Sequence, residues 1–425
     1  MWHNSRRGFN LIRSRANARS NKSKNIQLIA IAGLILIVSS LAIYGIYSMA
    51  QSPNLRKIAK NDVEQNASVD VYTEKDVIEK AEENKEDINE KDESQSLQQI
   101  VDETTKEDEE EKENQTTDMR ITALGEIMMG GSRWNKNSYS IAYKEIAPHT
   151  LESDYTIASL ATNITTVEDL SDTKSKYIAN ESIVNAFSAL NIKALNVATD
   201  HMLDFSKNMF KTTIDTIKKN DIDVVGLNND VVYAEKNGIR VGIIGINNVV
   251  IGSAGDYINA GMYIYDMGKL QRTIKEARKN ADTIIVMTHY GKENVHEVTD
   301  VMSWFAKEII KAGADIVLGG HSLGIYPVEE YNGKLIIYSL GYLMHDTTKE
   351  VGKKSAIFDI NINEKGVINK LSITPTYIKD SNTVKLFKDI NQKAGINFLN
   401  ELKSKSKLSK YSSSVEDDKL VITLN

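Results

Sequence analysis

The chain has no cysteine in its 425 residues. That absence excludes disulfides, thiolate metal ligands and a lipid-attachment cysteine. The fold must rest on its core, and any metal must be held by His, carboxylate or amide groups. A second shortage is local. Between residues 62 and 118 there is no glycine, no proline and one aromatic, Tyr72, while 22 acids stand against six lysines, a net charge of −16. Such a stretch cannot bury enough apolar surface to offset the entropy of ordering itself, and it reads as a disordered acidic tether. Binding of divalent cations or of a partner is the competing reading of these acids. The third shortage is net charge in the remainder. The first 118 residues account for the whole formal charge of −6, which leaves residues 119–425 electrically balanced. That balance argues against a nucleic-acid partner, for which a basic face is expected.

The N-terminus has the opposite bias. Residues 1–24 hold Arg6, Arg7, Arg13, Arg15, Arg19, Lys22 and Lys24 and no acid, and residues 26–47 then run 22 positions without a charge. As a helix that run is long enough to cross a hydrocarbon layer of roughly 30 Å. With bases before it and acids after it, the positive-inside rule predicts a single-pass protein of the cell membrane, its N-terminus cytoplasmic and its main domain extracytoplasmic. A cleaved signal peptide is the rival reading, because Ser48-Met49-Ala50 has a small-x-small pattern. The apolar run nevertheless exceeds the usual length of a signal core. The expected organisation is a basic N-terminus (1–25), a transmembrane anchor (26–47), an acidic linker (48–118), a globular domain (119–378) and a C-terminal extension (379–425).

From Met119 onward apolar runs alternate with amphipathic stretches. Strands are expected at 120–124, 155–160, 193–198 and 223–227, with helices at 182–190 and 206–219. In the second helix Met209, Phe210, Ile214 and Ile217 recur at helical spacing behind Ser206, a plausible N-cap. Asn237-Gly238, between 231–234 and 239–246, and Asn332-Gly333, between 328–331 and 335–339, are hairpin signals. Buried strands at 283–288 and 315–318 flank a helix at 301–312 that stops at Gly313. Early helices and later hairpins predict a layered α/β sandwich of mixed sheets.

Three histidines follow apolar runs and precede polar turns: His201 in Thr199-Asp200-His201-Met202-Leu203-Asp204, His289 in Thr288-His289-Tyr290-Gly291, and His321 in Gly319-Gly320-His321-Ser322. Side chains in that setting converge at the carboxyl edge of a sheet. Together with Gly125-Glu126-Ile127-Met128-Met129-Gly130, Ala312-Gly313-Ala314-Asp315-Ile316-Val317 and Tyr338-Ser339-Leu340-Gly341, they resemble the CapA/PgsA family of poly-γ-glutamate capsule synthesis proteins. The likeness runs in order over residues 119 to 378, and the closing run from Asp417 to Asn425 is similar to the family's tail. It implies the calcineurin-like metallophosphoesterase fold, whose site holds two divalent ions clamped by carboxylates, an amide and imidazoles.

The chain departs from that pattern at several ligand positions. Where the family has Gly-Asp it has Gly125-Glu126. Where the family has Asn-Leu-Glu it has Ser159-Leu160-Ala161, and where the family has Asn-Asn-His it has Thr199-Asp200-His201. The last imidazole of Gly-His-His-Pro-His is replaced by Leu323, and the Asn after Ser-Leu-Gly by Tyr342. By the resemblance, Asp200, His289 and His321 would serve one ion, of Zn²⁺, Mn²⁺ or Fe²⁺ type, and Glu126 would be what remains for the other. His201 would be the general acid or base beside them.

Each of these residues has a plainer reading. A histidine at a strand end is commonly a hydrogen-bonded structural residue, His201 could cap the following helix, and Glu126 could face solvent. His345-Asp346 falls in the same layer as a replacement ligand or a bystander. His3, His149 and His296 match no motif and are expected at the surface. Two functions follow from the resemblance. One is an accessory component of poly-γ-glutamate synthesis or export, beside a cytoplasmic synthetase ligase, small membrane subunits and the polymer. The other is a surface metallohydrolase acting on a phosphoester or cell-envelope polymer. The depleted ligand set favours the first, with one divalent ion or none.

Overall fold

The computed structural model describes residues 118–425, apart from 132–133, 135–137, 168–176, 294–296, 348 and 381–382. The expected membrane segment and most of the expected tether, with His3 and His296, lie outside the described residues. Among the described residues no helix is long and apolar enough to cross a membrane.

The strands, in chain order, begin with β1 (Met119–Ile127), β2 (Tyr155–Leu160), β3 (Asn163–Thr165), β4 (Ile178–Asn180), β5 (Ile192–Asn196) and β6 (Asp223–Val225). There follow β7 (Val232–Lys236), β8 (Ile239–Asn247), β9 (Thr283–His289), β10 (Ile316–Gly320), β11 (Val328–Tyr331) and β12 (Lys334–Ile337). The last are β13 (Tyr342–Met344), β14 (Lys354–Ile362), β15 (Ile368–Lys379), β16 (Thr383–Leu386), β17 (Tyr411–Glu416) and β18 (Lys419–Leu424). The longer helices are α1 (Lys207–Lys219), α2 (Met267–Ala277), α3 (Asp300–Lys311) and α4 (Phe387–Lys405).

Two mixed sheets carry the domain. One has the order β17-β18-β15-β14-β1-β2-β5-β6, with β13 beside β1 and β16 beside β15; the other has the order β11-β12-β10-β9-β8-β7. Period-two alternation divides each strand between two apolar layers. In β1, Ile121 and Ala123 join Val241, Ile243, Ile285 and Ile337 of the second sheet in a shared core, whereas Leu124 and Ile127 face an outer layer with Phe187, Phe210 and Ile217. In β8, Ile244 and Ile246 face another outer layer with Ile274, Phe305 and Ile309 of α2 and α3. Helix, sheet, sheet and helix therefore stack in layers, as the sequence leads one to expect.

Local chemistry sets the element ends. Ser206 caps α1 by accepting from Met209 N, and Thr299 caps α3 by accepting from Met302 N. Both Asn-Gly pairs form tight hairpins with left-handed backbone, φ 54° and 79° at Asn237 and Gly238, and 54° and 75° at Asn332 and Gly333. The expected strand 193–198 ends at Asn196, because the Asn196 side chain accepts from Ala198 N and turns the chain. The expected strand 223–227 ends at Val225, ahead of Gly226 at φ 94°. The expected helix 182–190 splits into a 3₁₀ turn Glu181–Ile183 and a helix Val184–Ala189.

The C-terminal segment is built into the same sheet: β18 pairs with β15, β17 with β18 and β16 with β15. Leu399 and Leu402 of α4 enter the core between the sheets.

Candidate metal centre

The parallel strands β1, β2, β5 and β6 of one sheet and β8, β9, β10 and β12 of the other deliver their carboxyl ends to the candidate residues. Glu126 lies near the end of β1, paired with Tyr342, and the register shifts before Ile127 pairs with Met344. Gly125 makes this possible. A Cβ there would fall 2.5 Å from Gly341 O and 2.9 Å from Leu343 N, so only glycine lets the two backbones meet. His289 ends β9, in register with Gly320 of β10 and Asn247 of β8. His321 follows β10 with φ 77°, a left-handed conformation that a non-glycine residue holds only under constraint from its surroundings. Asp200 opens the 3₁₀ turn Asp200–Leu203 after β5. The turn is pinned from outside: Tyr257 OH donates to Asp200 O at 2.6 Å, and Asn163 Nδ2 donates to His201 O at 2.9 Å.

The side chains meet as the sequence predicts for Asp200, His289 and His321, whose ligand atoms lie within 4.8 Å of one another. His289 Nε2 donates to Asp200 Oδ1 at 3.0 Å, and His321 Nδ1 is 3.6 Å from Asp200 Oδ2. The two imidazoles lie 4.7 Å apart at 58°. Glu126 is buried, not solvent-facing, and its Oε2 is 3.1 Å from His289 Nδ1. That is an ion-pair distance without hydrogen-bond alignment: both Glu126 oxygens and His289 Nδ1 lack a hydrogen-bond partner.

His201 does not cap the following helix. Its Nδ1 contacts Asp204 Oδ2 at 2.8 Å, its Nε2 lies 3.7 Å from Asp200 Oδ2, and Tyr177 stacks on its ring at 3.8 Å. Tyr177, Asn163 and Tyr257 belong to no quoted motif. Their roles arise from strands and loops distant in sequence.

Electrostatics sort the three histidines. Burial opposes charge on His289, but the carboxylates of Glu126 and Asp200 outweigh it and push its pKa up to about 10. Burial also opposes charge on His201, and the Asp204 and Asp200 carboxylates raise its pKa. His321 is held down at about 4, by burial first and then by the neighbouring His289 cation. Burial of Asp200 would raise its pKa, yet the surrounding imidazoles hold it well below the usual carboxylate range.

Ala161, Leu323 and Tyr342, three of the positions at which the motifs depart from the resembling pattern, meet with Met128 in one buried apolar cluster, and Tyr177 packs against it. Since Tyr342 is the in-register partner of Glu126 on β13, this cluster adjoins Glu126. His345 is buried with its ring 4.5 Å from Tyr342, outside the Asp200–His289–His321 group, and Asp346 is exposed. His149, expected at the surface, is half-buried, and burial lowers its pKa.

The residues present fit a divalent ion. One carboxylate and two imidazoles form a donor set suited to Zn²⁺, Mn²⁺ or Fe²⁺. Glu126 keeps buried oxygens without hydrogen bonds beside it, and Gly320 leaves room, since even a Cβ there would stay 3.7 Å from Glu126 Oε2 and His289 Nδ1. A cation at this place would take over from the His289 proton the task of compensating two buried carboxylates.

Comparison with known proteins agrees with the motifs. Residues 120–347 match the family model of the bacterial capsule synthesis protein PGA_cap. The chain is similar to the PGA biosynthesis protein CapA of Bacillus subtilis, with 27% identity over 71% of this chain and 81% of that one. It is also similar to a probable polyglutamine synthesis accessory protein of Mycobacterium tuberculosis, with 25% identity over 46% of this chain and 56% of that one. Among solved structures, the sulfate thiohydrolase SoxB of Thermus thermophilus aligns with a TM-score of 0.35 and 13% identity, covering 56% of this chain and 40% of that one. Motif order, the converging strand ends and the match over more than half its length lead to one assignment: the chain belongs to the PGA_cap family of bacterial capsule synthesis proteins.

Proposed function

We propose that this chain is a membrane-anchored, extracytoplasmic accessory component of poly-γ-glutamate synthesis or export, on a metallophosphoesterase-like domain that has given up the second of two metal positions. The charge-free run at 26–47, with bases before it and acids after it, supports the anchor and its orientation. The relatives' roles in PGA biosynthesis and as a polyglutamine synthesis accessory protein support the pathway. A cytoplasmic ligase and small membrane subunits would be its partners.

One observation carries the accessory reading over the hydrolytic one: Met128, Ala161, Leu323 and Tyr342 pack as a buried apolar cluster where further ligands would be needed. A two-ion clamp acts on both the attacking and the leaving oxygen, and an apolar wall supplies no charge to half of it. Asp200, His289 and His321 would hold a single ion, whose chemistry when bound is that of a Lewis acid. The chain's own residues would do the rest: Asp204 and Tyr177 orient the His201 ring, and the buried Glu126 keeps the pocket anionic.

A strain lacking this gene tests the proposal. Surface polymer should be lost, restored by the intact chain and restored by a His289→Ala chain, while the purified protein turns over phosphomonoesters and phosphodiesters negligibly in metal excess. Two tightly held ions with robust hydrolysis, or failure of a His289→Ala chain that folds and accumulates like the intact one to restore polymer, would support the alternative of a surface metallohydrolase. Protease added to intact cells should release the folded domain by cutting in the linker; protection of the whole chain until lysis would sink the orientation.

A further inference from the structure

A cleft of about 590 Å³ lies downstream of the two strand ends that supply His289 and His321, and none of the candidate metal ligands lines it. It is lined by the loop and first turn of α3, with Glu297, Val298 and Asp300, by the C-terminal segment, with Phe398, Leu402 and Lys407, and by Lys354 of β14. Residues 325–328 add apolar lining.

The charges in this cleft are sorted. Three of its acids are already paired: Glu329 with Lys307 at 2.8 Å, Glu401 with Lys405 at 2.6 Å, and Glu350 with Lys353 at 3.7 Å. Among the described residues no ion pair engages Glu297 and Asp300 at the entry to α3, or Lys354 and Lys407, although these two lysines act electrostatically on Glu401 and Glu329. Lys354 Nζ instead lies 5.9 Å over the Phe398 ring, beside apolar surface. The acids outside ion pairs therefore come from the entry to α3, and the bases outside ion pairs from β14 and the C-terminal segment, alongside apolar residues of the same lining.

We infer that this cleft is a binding site for the amino end of a γ-linked glutamate chain. That end carries one ammonium, for which Glu297 and Asp300 are placed. Every residue, the terminal one included, carries one free α-carboxylate, for which Lys354 and Lys407 are placed, and two methylenes in its backbone, which suit the apolar residues of the lining. A purely anionic segment would meet the acids at the entry to α3 unfavourably, so recognition is of the end and not of the middle of the chain. The C-terminal segment thereby acquires a role that the metal centre does not give it, as part of the lining of the cleft. The inference rests on the proposed polymer.

The test is calorimetric titration of the full chain with short synthetic γ-linked glutamate oligomers. The oligomer with a free amine should bind. N-acetylation, and separately the paired substitutions Lys354→Glu and Lys407→Glu, should each weaken binding by about tenfold or more. The milder pair Lys354→Gln and Lys407→Gln should weaken it less. Absence of binding by the intact chain, or equal binding by the Lys→Glu pair, overturns the site; equal binding of the acetylated oligomer overturns recognition of the end. If the intact chain fails to bind while its deletion still abolishes surface polymer, the cleft proposal fails and the accessory role stands. If oligomers bind but deletion leaves polymer unchanged, the role fails and the cleft stands.

Discussion

His289 Nδ1 and Glu126 Oε2 meet at 3.1 Å across the two sheets, β9 supplying the imidazole and β1 the carboxylate, both at the ends of parallel strands. Each side chain is 1% exposed. At that burial neither charge can be left alone, so the contact ties the sheet edges together and readies the pocket for a cation.

Replacing Glu126 by Gln should therefore destabilise the metal-free protein by about 3 kcal/mol, because the partner charge on His289 stays buried. Chemical denaturation in the presence of a chelator measures it. A loss within error of zero would mean that the pair does not stabilise the folded state.

Metal binding should saturate at one transition ion per chain. His289→Ala should abolish it, since removing one of three ligands leaves too few to displace the ion's water. Elemental analysis and titration with Zn²⁺ read both, and persistent stoichiometric binding in His289→Ala would move the site elsewhere.

The metal-free protein should be most stable near pH 6.5. His289, raised to about 10, stabilises fully below its unfolded value of about 6.5, and that contribution is lost as pH rises toward 10. His321, lowered to about 4, contributes above about 6.5 and loses its contribution as pH falls toward 4. Asp200, held low, loses its contribution only in stronger acid. Denaturation midpoints across this range should fall on both sides, and His289→Gln should flatten the alkaline side. An alkaline slope unchanged in that variant would remove His289 as its cause.

Gly125→Ala should destabilise by about 2 kcal/mol or more, as the new methyl meets backbone atoms of Gly341 and Leu343 that cannot turn aside. The substitution should also weaken metal binding by displacing β13 from β1. Unchanged stability would mean that the strands can separate without cost.

The period-two runs, the Asn-Gly hairpins and the Ser206 cap were legible in the chain because each depends on neighbours within a few residues. The Asp200–His289–His321 set was legible only through the resemblance of its motifs to the family, because Asp200 follows β5 of one sheet and the two histidines end β9 and follow β10 of the other. Glu126 was ambiguous, because a carboxylate near a strand end reads equally as ligand or solvent-facing residue until the glycine beside it and the strand across from it are known. Tyr177, stacked on His201, left no signal at all.

By itself the sequence determined composition, charge segregation, element type and the family to which the motifs belong, since all of these are local or additive along the chain. Tertiary structure decided which substitutions act together. Ala161, Leu323 and Tyr342 are three separate changes in the sequence and become one apolar wall only when β1, β2, β10 and β13 bring their ends together. Burial and the sign of a pKa shift are likewise sums over neighbours distant in sequence, which only the folded chain supplies.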